Sequence, residues 1–288
     1  MELPRLYLGE AARWAALGYA REVLGGDVAE HPDLFRIAPQ GAGIGISQIR
    51  EAAAWARYAP VRAARRLVLI GPAERLSEEA ASALLKSLEE APGYLEFVLY
   101  GRAPDRLIPT VRSRCAILWA PLSRRLVEEE LRRAGYRDKE VEFLVEFIDS
   151  AADLDALAGG TVSPREEWDE AVREAEGAGF RELAAKFVAY SGEPIRRRAM
   201  ARALFERLSD QPADRVLEAA EVLAGGGREA VLALSRELVR YLAREGERLP
   251  PAVRRSWARK ASLARGELED NVNVKLLSEV ILLWPRRG

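Results

Sequence analysis

Leu67-Val68-Leu69-Ile70, then Ser77-Glu78-Glu79-Ala80-Ala81-Ser82-Ala83-Leu84-Leu85-Lys86-Ser87-Leu88-Glu89-Glu90, then Phe97-Val98-Leu99-Tyr100: these three runs decide the fold. The first is apolar at every position, as a strand buried on both faces requires. The second has Leu84, Leu85 and Leu88 at helical spacing and acidic residues in its first turn, with Ser77 placed to accept from the freed amides. That spacing predicts a helix over 77–90, which Ala91-Pro92-Gly93 stops. The third run is again a strand. Strand, helix and strand in succession make a βα unit of a parallel sheet.

The same alternation extends in both directions. Upstream, Leu6-Tyr7-Leu8 reads as a strand, Ala11–Leu24 as a helix, Leu34-Phe35-Arg36-Ile37 as a strand and Ile46–Tyr58 as a helix, with Ser47 as its candidate cap. Downstream, Ile117-Leu118-Trp119 reads as a fifth strand. From Ser123 onward the pattern is helical only, with Val141, Leu144, Val145 and Ile148 on one face. After about Ala175 it breaks at Ser191-Gly192-Glu193-Pro194, Gln211-Pro212, Gly225-Gly226-Gly227 and Leu249-Pro250-Pro251. Those breaks predict four or five helices, the last carrying Val274, Leu277, Val280 and Ile281.

Composition narrows the class. The chain has 288 residues, 31% charged and 49% apolar, enough for more than one core and ordinary for a globular protein. No apolar stretch reaches the ~18 residues of a membrane span, and Met1-Glu2-Leu3-Pro4 lacks the basic start of a secretory signal, so a cytoplasmic protein is expected. One cysteine and one histidine exclude an intrachain disulfide and argue against zinc. A net charge of −1 provides no global field for nucleic acid, so any DNA contact must be a local patch. Scarce Asn and Gln beside abundant Arg, Glu, Ala and Leu lean towards a thermophilic source, though a GC-rich genome gives the same bias.

Nucleotide chemistry is conspicuous by what is missing. A phosphate-binding loop after the first strand needs glycines, so that backbone N–H groups surround the phosphates, and a lysine to reach the terminal ones. Leu8 is followed instead by Gly9-Glu10-Ala11-Ala12-Arg13, with a carboxylate where donors are needed. The strand Leu67–Ile70, which would carry Mg²⁺-binding acids, ends in Gly71-Pro72-Ala73-Glu74. Glu74 lies too far along to replace them, and a turn into a capped helix accounts for the segment.

Four motifs, in order along the chain, resemble the clamp-loader branch of the AAA+ ATPases. They are His31-Pro32-Asp33-Leu34, Ile44-Gly45-Ile46-Ser47-Gln48-Ile49-Arg50, Ala80–Pro92, and Pro109-Thr110-Val111-Arg112-Ser113-Arg114-Cys115. Asn271-Val272-Asn273-Val274-Lys275-Leu276-Leu277-Ser278-Glu279 is similar to the last helix of that family's collar. The erased loop and the His-Pro-Asp strand entry set the chain apart from the ATP-hydrolysing gamma/tau type. Many relatives carry a four-cysteine zinc module before that strand, where this chain has Gly25-Gly26-Asp27-Val28-Ala29-Glu30, so no zinc is expected.

The resemblance implies an α/β AAA+ core over 1–120 with a degenerate P-loop, a helical lid over 121–174 and a helical collar over 175–288. It implies a subunit that binds no ATP and completes a ring with gamma/tau ATPase subunits and a clamp-opening delta subunit. Primer–template DNA lies within that ring, and the sliding clamp is met weakly or indirectly. Arg114 would be an arginine finger reaching a neighbour's γ-phosphate, with Ser113 and Cys115 as structural members of the motif and Arg112 a lesser candidate for the same interface. A guanidinium is always charged and can grip two phosphate oxygens at once. A structural pairing of Arg114 with a carboxylate is the alternative. Arg50, with Ser47 and Gln48 behind it, would meet DNA phosphates, a solvated helix face being the alternative. Arg165 reads as a vestigial phosphate sensor or an interface residue. The clusters Arg62/Arg65/Arg66, Arg196–Arg198 and Arg254/Arg255 read as solvated surface. The other functions open to such a chain are an active gamma/tau-like motor and an ATP-independent DNA-binding or recombination module.

Overall fold

The computed structural model describes residues 3–159, 163–245, 249–267 and 273–282. The chain divides into two compact units, Met1–Ser123 and Arg124–Gly288.

In the first unit the five apolar runs form one sheet, in the order β2-β3-β4-β1-β5. The strands are β1 (Arg5–Leu8), β2 (Leu34–Ile37), β3 (Arg66–Ile70), β4 (Leu95–Gly101) and β5 (Ala116–Trp119). Every pairing is parallel: Arg5 lies opposite Val98 on one side and Ala116 on the other, Leu34 opposite Leu67, and Leu69 opposite Val98. All N-terminal strand ends therefore share one edge of the sheet, and all C-terminal ends the other. β3 is buried at every residue, as its unbroken apolar run demands. β5 is an edge strand, and its alternate residues Ile117 and Trp119 are exposed. Its apolar run therefore serves only one buried face.

The helices of this unit are α1 (Ala12–Leu24), α2 (Ile46–Trp55), α3 (Glu78–Glu89) and the single turn α4 (Pro109–Arg112). Ser77 caps α3, its Oγ accepting the Ala80 amide at 3.1 Å. Leu84 and Leu88 join Leu6, Leu8, Ile70, Leu99 and Val111 in the core. Each such side chain contributes about 1.5–3 kcal/mol through burial. The α2 start departs from expectation. Gly45 is the N-cap, and Gln48 Oε1 accepts the Gly45 amide at 3.0 Å. Ser47 lies inside the first turn, too late to cap.

Beneath α2 lies a buried anion. Asp33 is fully buried and accepts the amides of Val61, Arg62 and Ala63 at 2.7, 2.7 and 2.9 Å. Arg66 Nε lies 3.4 Å from Asp33, while its Nη1 donates to Trp55 O at 2.5 Å and its guanidinium covers the Trp55 ring. Burial pushes the Asp33 carboxyl up, but the three amides and then Arg66 outweigh it and hold it below the usual range. Arg66 is thus a core residue, correcting its reading as solvated surface. The cause is a partner more than thirty positions away in sequence.

The second unit is helical throughout its described residues: α5 (Arg124–Arg133), α6 (Asp138–Val145), α7 (Ala151–Ala158), α8 (Pro164–Gly177), α9 (Phe180–Ala189), α10 (Pro194–Arg207), α11 (Ala213–Gly225), α12 (Gly227–Glu245), α13 (Pro251–Glu267) and α14 (Val274–Leu282). Among the described residues six helices follow Gly177 instead of four or five, α13 and α14 being distinct elements. Phe187, Phe205, Leu234, Trp257 and Ile281 centre its core. A Cβ on Gly226 would lie 2.7 Å from Val188 Cγ1, so glycine there permits close approach between α9 and the α11–α12 turn.

The Arg196–Arg198 cluster needs a second correction. Arg197 and Arg198 are buried, Arg197 pairing with Asp153 at 2.7 Å and Arg198 with Glu237 at 2.9 Å. Arg198 and Arg240 also donate to the Glu146 carbonyl, and Arg244 pairs with the Glu146 carboxylate. The segment 146–153 is therefore bound to α10 and α12 by charge-assisted hydrogen bonds. Arg196 is also committed, to Glu170 and Glu174 at 2.8 and 3.3 Å.

Candidate functional site

The Ser-Arg-Cys segment is set by α4. Proline at its first position suits a helix start, and Val111 anchors the turn in the core. Ser113 Oγ donates to Thr110 O at 3.0 Å, and Arg112 Nη1 to Pro104 O at 3.1 Å. Cys115 is buried, and burial pushes its thiol up to about 11, so at neutral pH it is protonated and unreactive. The chain then enters β5, the Ala116 amide donating to Pro4 O at 2.8 Å.

Beside these neighbours the Arg114 side chain turns outward. Its side chain is 47% exposed, and its Nε lies 3.4 Å from Glu89 Oε1 at the end of α3. Such a surface pair is worth about 0–1 kcal/mol and is easily exchanged for another anion. The arginine borders a cleft of about 680 Å³ whose walls include Pro4, Leu88, Pro92 and Phe97. This cleft lies along the N-terminal strand edge, since Arg114 precedes β5 and Pro4 precedes β1.

The opposite edge is where an open parallel sheet binds ligands, at the carboxyl ends of its strands. There the β1–α1 turn is closed on itself. The amides of Gly9, Ala11 and Ala12 donate to Gly101 O, Ala120 O and Gly9 O at 3.1, 3.0 and 3.3 Å. Gly9 has φ of 120°, and a Cβ there would meet Ala120 O at 2.8 Å. Glu10 pairs with Arg102 at 3.5 Å, and Glu74 accepts the amides of Arg102 and Ala103. Glu74, left without a role by sequence, thus ties the end of β4 to the turn after β3.

On α2 the three candidate DNA contacts separate. Gln48 is buried, its amide nitrogen donating to Ala38 O at 2.7 Å and its oxygen accepting from Gly45. Both groups are engaged and the side chain is buried, so Gln48 positions the helix start and does not face outward towards a phosphate. Ser47 and Arg50 are exposed on the outer face and have no hydrogen-bond or ionic partner among the described residues. In the helical unit, the Arg165 guanidinium lies 4.9 Å above the Phe143 ring. The neighbouring Gly160-Thr161-Val162, and Asn271-Val272 of the collar motif, lie outside the described residues.

The first unit is thus a parallel five-stranded α/β core with a closed first turn and an outward arginine before its edge strand, and the second is helical throughout its described residues. A DNA polymerase III gamma-subunit-related protein of Thermotoga maritima has the same fold: TM-score 0.57 at 24% identity, covering 98% of this chain and 93% of that one. The family described as "DNA polymerase III, delta subunit" matches residues 15–121. DNA polymerase III subunit delta' of Pseudomonas aeruginosa is 35% identical over 133 residues, 46% of this chain and 38% of that protein. The delta' subunit of Escherichia coli is 36% identical over 89 residues, 30% of this chain and 27% of that one. A gamma/tau subunit of Mycobacterium tuberculosis is 36% identical over 70 residues, 24% and 12% of the two chains. Over residues 15–121 the chain is thus similar to that family, and over up to 46% of its length to delta' subunits of DNA polymerase III. Its matches span less than two fifths of the length of these curated relatives.

Proposed function

We propose that this chain is the non-hydrolysing subunit of a DNA polymerase III clamp loader and supplies Arg114 in trans to a neighbour's ATP site. The observation that carries this reading is the position of Arg114. It lies at the N-terminal strand edge, away from any nucleotide its own sheet would hold, exposed and held only by a weak contact to Glu89. A phosphate that it meets must belong to another molecule. There a guanidinium would offset the charge that builds up on the transferred phosphoryl oxygens.

Two further features support the silent half of the reading. The β1–α1 turn spends the amides of Gly9, Ala11 and Ala12 internally, and Glu10 would repel a phosphate. A chain that cannot bind ATP is not switched by it and serves as a fixed element of the ring. The helical unit would supply a lid to about residue 174 and then a collar for gamma/tau and delta subunits. Arg50 and Ser47 would face primer–template DNA. The sliding clamp is met through the other subunits. The complex acts in the cytoplasm during replication, and this chain holds neither ATP nor zinc.

Titrating MgATP into the full chain separates this reading from an active motor: no saturable binding is expected, whereas a gamma/tau-like motor binds and hydrolyses. The reading itself is tested by the ATPase rate of the reconstituted complex carrying Arg114→Ala. That rate should collapse although the complex still assembles.

A further inference from the structure

The connection from α2 to β3 combines a fixed backbone with exposed side chains. Below it, Asp33 holds the amides of 61–63, Arg66 holds the Trp55 carbonyl, and Tyr94 Oη donates to the carbonyls of Ala56 and Arg57 at 3.3 and 3.2 Å. Above it, Arg57 and Arg62 are exposed and, among the described residues, make no ion pair or side-chain hydrogen bond. Tyr58 and Val61 are 72% and 68% exposed. None of these side chains contributes to the anchoring, so packing does not account for their identities.

Their charge and spacing define a ligand. No Asp or Glu occurs from residue 52 to 73. Arg50 and Arg57 are seven positions apart, hence on one side of the helix and its final turn, about 10 Å from each other. Small Ala54 lies between them, and Tyr58 and Arg62 continue the stripe into the loop. Successive exposed arginines without acids between them match a phosphodiester chain, and an uncovered aromatic ring matches a base face. The rigid backbone means that little order remains to be imposed on binding.

From this we infer that the α2–β3 connection binds single-stranded nucleic acid, with Arg50, Arg57 and Arg62 on phosphates and Tyr58 stacked on a base. The inference rests on the reading of Arg50 as a DNA contact and extends that surface to the far end of α2. A single strand is favoured over a duplex because only an unpaired base offers a face to Tyr58.

The test uses the full-length chain and a fluorescein-labelled oligothymidylate, with anisotropy followed from 50 to 200 mM salt. Three phosphate contacts give a slope of log K against log salt of about −2, at about −0.7 per contact for single strands. Arg57→Ala/Arg62→Ala should reduce it to about −0.7. Tyr58→Ala should weaken oligothymidylate binding about 5-fold or more while leaving a blunt duplex unaffected, and Tyr58→Phe should restore it. All four side chains are exposed, so the variants should unfold at the wild-type midpoint. Equal slopes for wild type and the double variant, or no binding by the wild-type chain at 50 mM salt, would overturn the inference and leave the stripe a protein-docking surface. An ATPase defect in Arg114→Ala alongside such a result would leave the clamp-loader reading standing.

Discussion

Replacing Asp33 with alanine tests whether the buried anion organises the α2–β3 connection. The change strands three backbone amides, now bonded to it at 2.7 to 2.9 Å, and a buried guanidinium whose Nε lies 3.4 Å from the carboxylate as an ion pair. Removing one partner of a buried pair costs about 3–5 kcal/mol, most of it the uncompensated charge left behind. At about 2–4 °C per kcal/mol, the melting temperature should fall by roughly 6–20 °C. Asp33→Asn retains one acceptor oxygen and should lie between the two. The sign with pH is fixed by the depressed carboxyl. Its contribution is complete above the unfolded carboxylate pKa of about 3.9 and is lost as pH falls through the lower folded value. Urea unfolding at pH 7 and again in the acid range measures both effects. The wild type should lose stability on acidification more steeply than Asp33→Ala. A cost under about 1 kcal/mol at pH 7, or parallel acid limbs, would show that the pocket is solvated and refute the reasoning.

Three other outcomes follow from packing. Cys115, buried and with its thiol pushed up to about 11, should be inert to a thiol reagent at pH 8 in the native protein and react fully in denaturant. Glu237→Ala should cost about 3–5 kcal/mol in urea unfolding, because Arg198 stays buried beside it, whereas Arg202→Ala on the exposed side of α10 should cost under about 1 kcal/mol. Gly226→Ala inserts a Cβ 2.7 Å from Val188 Cγ1 and should lower stability by about 1–3 kcal/mol, part of which Val188→Ala should recover in the double variant.

Local chemistry made much of the fold legible. The apolar run of β3, the Ser77 cap and the Ala91-Pro92-Gly93 stop are each written within a few residues, so the βα units can be read without tertiary information. The α2 start was missed because a glycine cap has no side chain to announce it, and the visible serine lies two positions too far along. The buried arginines were missed for another reason. Arg66, Arg197 and Arg198 stand in arginine-rich runs typical of solvated surface, and their partners Asp33, Asp153 and Glu237 are tens of residues away. The edge position of β5 was equally hidden, since Ile117 and Trp119 have the composition of a buried strand. At the candidate site, the Ser-Arg-Cys motif and the missing phosphate loop are legible directly. The Glu89 contact is not, because it depends on where α3 ends relative to α4 and the Arg114 that follows it. Gln48 was placed correctly on α2 but on its inward face, a distinction that one helical position decides.

The most direct test of the account is ATP hydrolysis by a complex reconstituted from this chain, gamma/tau and delta subunits, clamp and primed DNA, followed in a single turnover. Wild type, Arg114→Ala and Arg114→Lys are compared, with assembly of each verified by gel filtration. A finger acting in trans can be worth about 10³–10⁵ in rate, and lysine cannot reproduce the forked contact. Both variants should therefore lose hydrolysis at the adjoining site by about 10³-fold or more while the complex stays intact. An unchanged single-turnover rate in Arg114→Ala would contradict the account and make Arg114 a surface partner of Glu89.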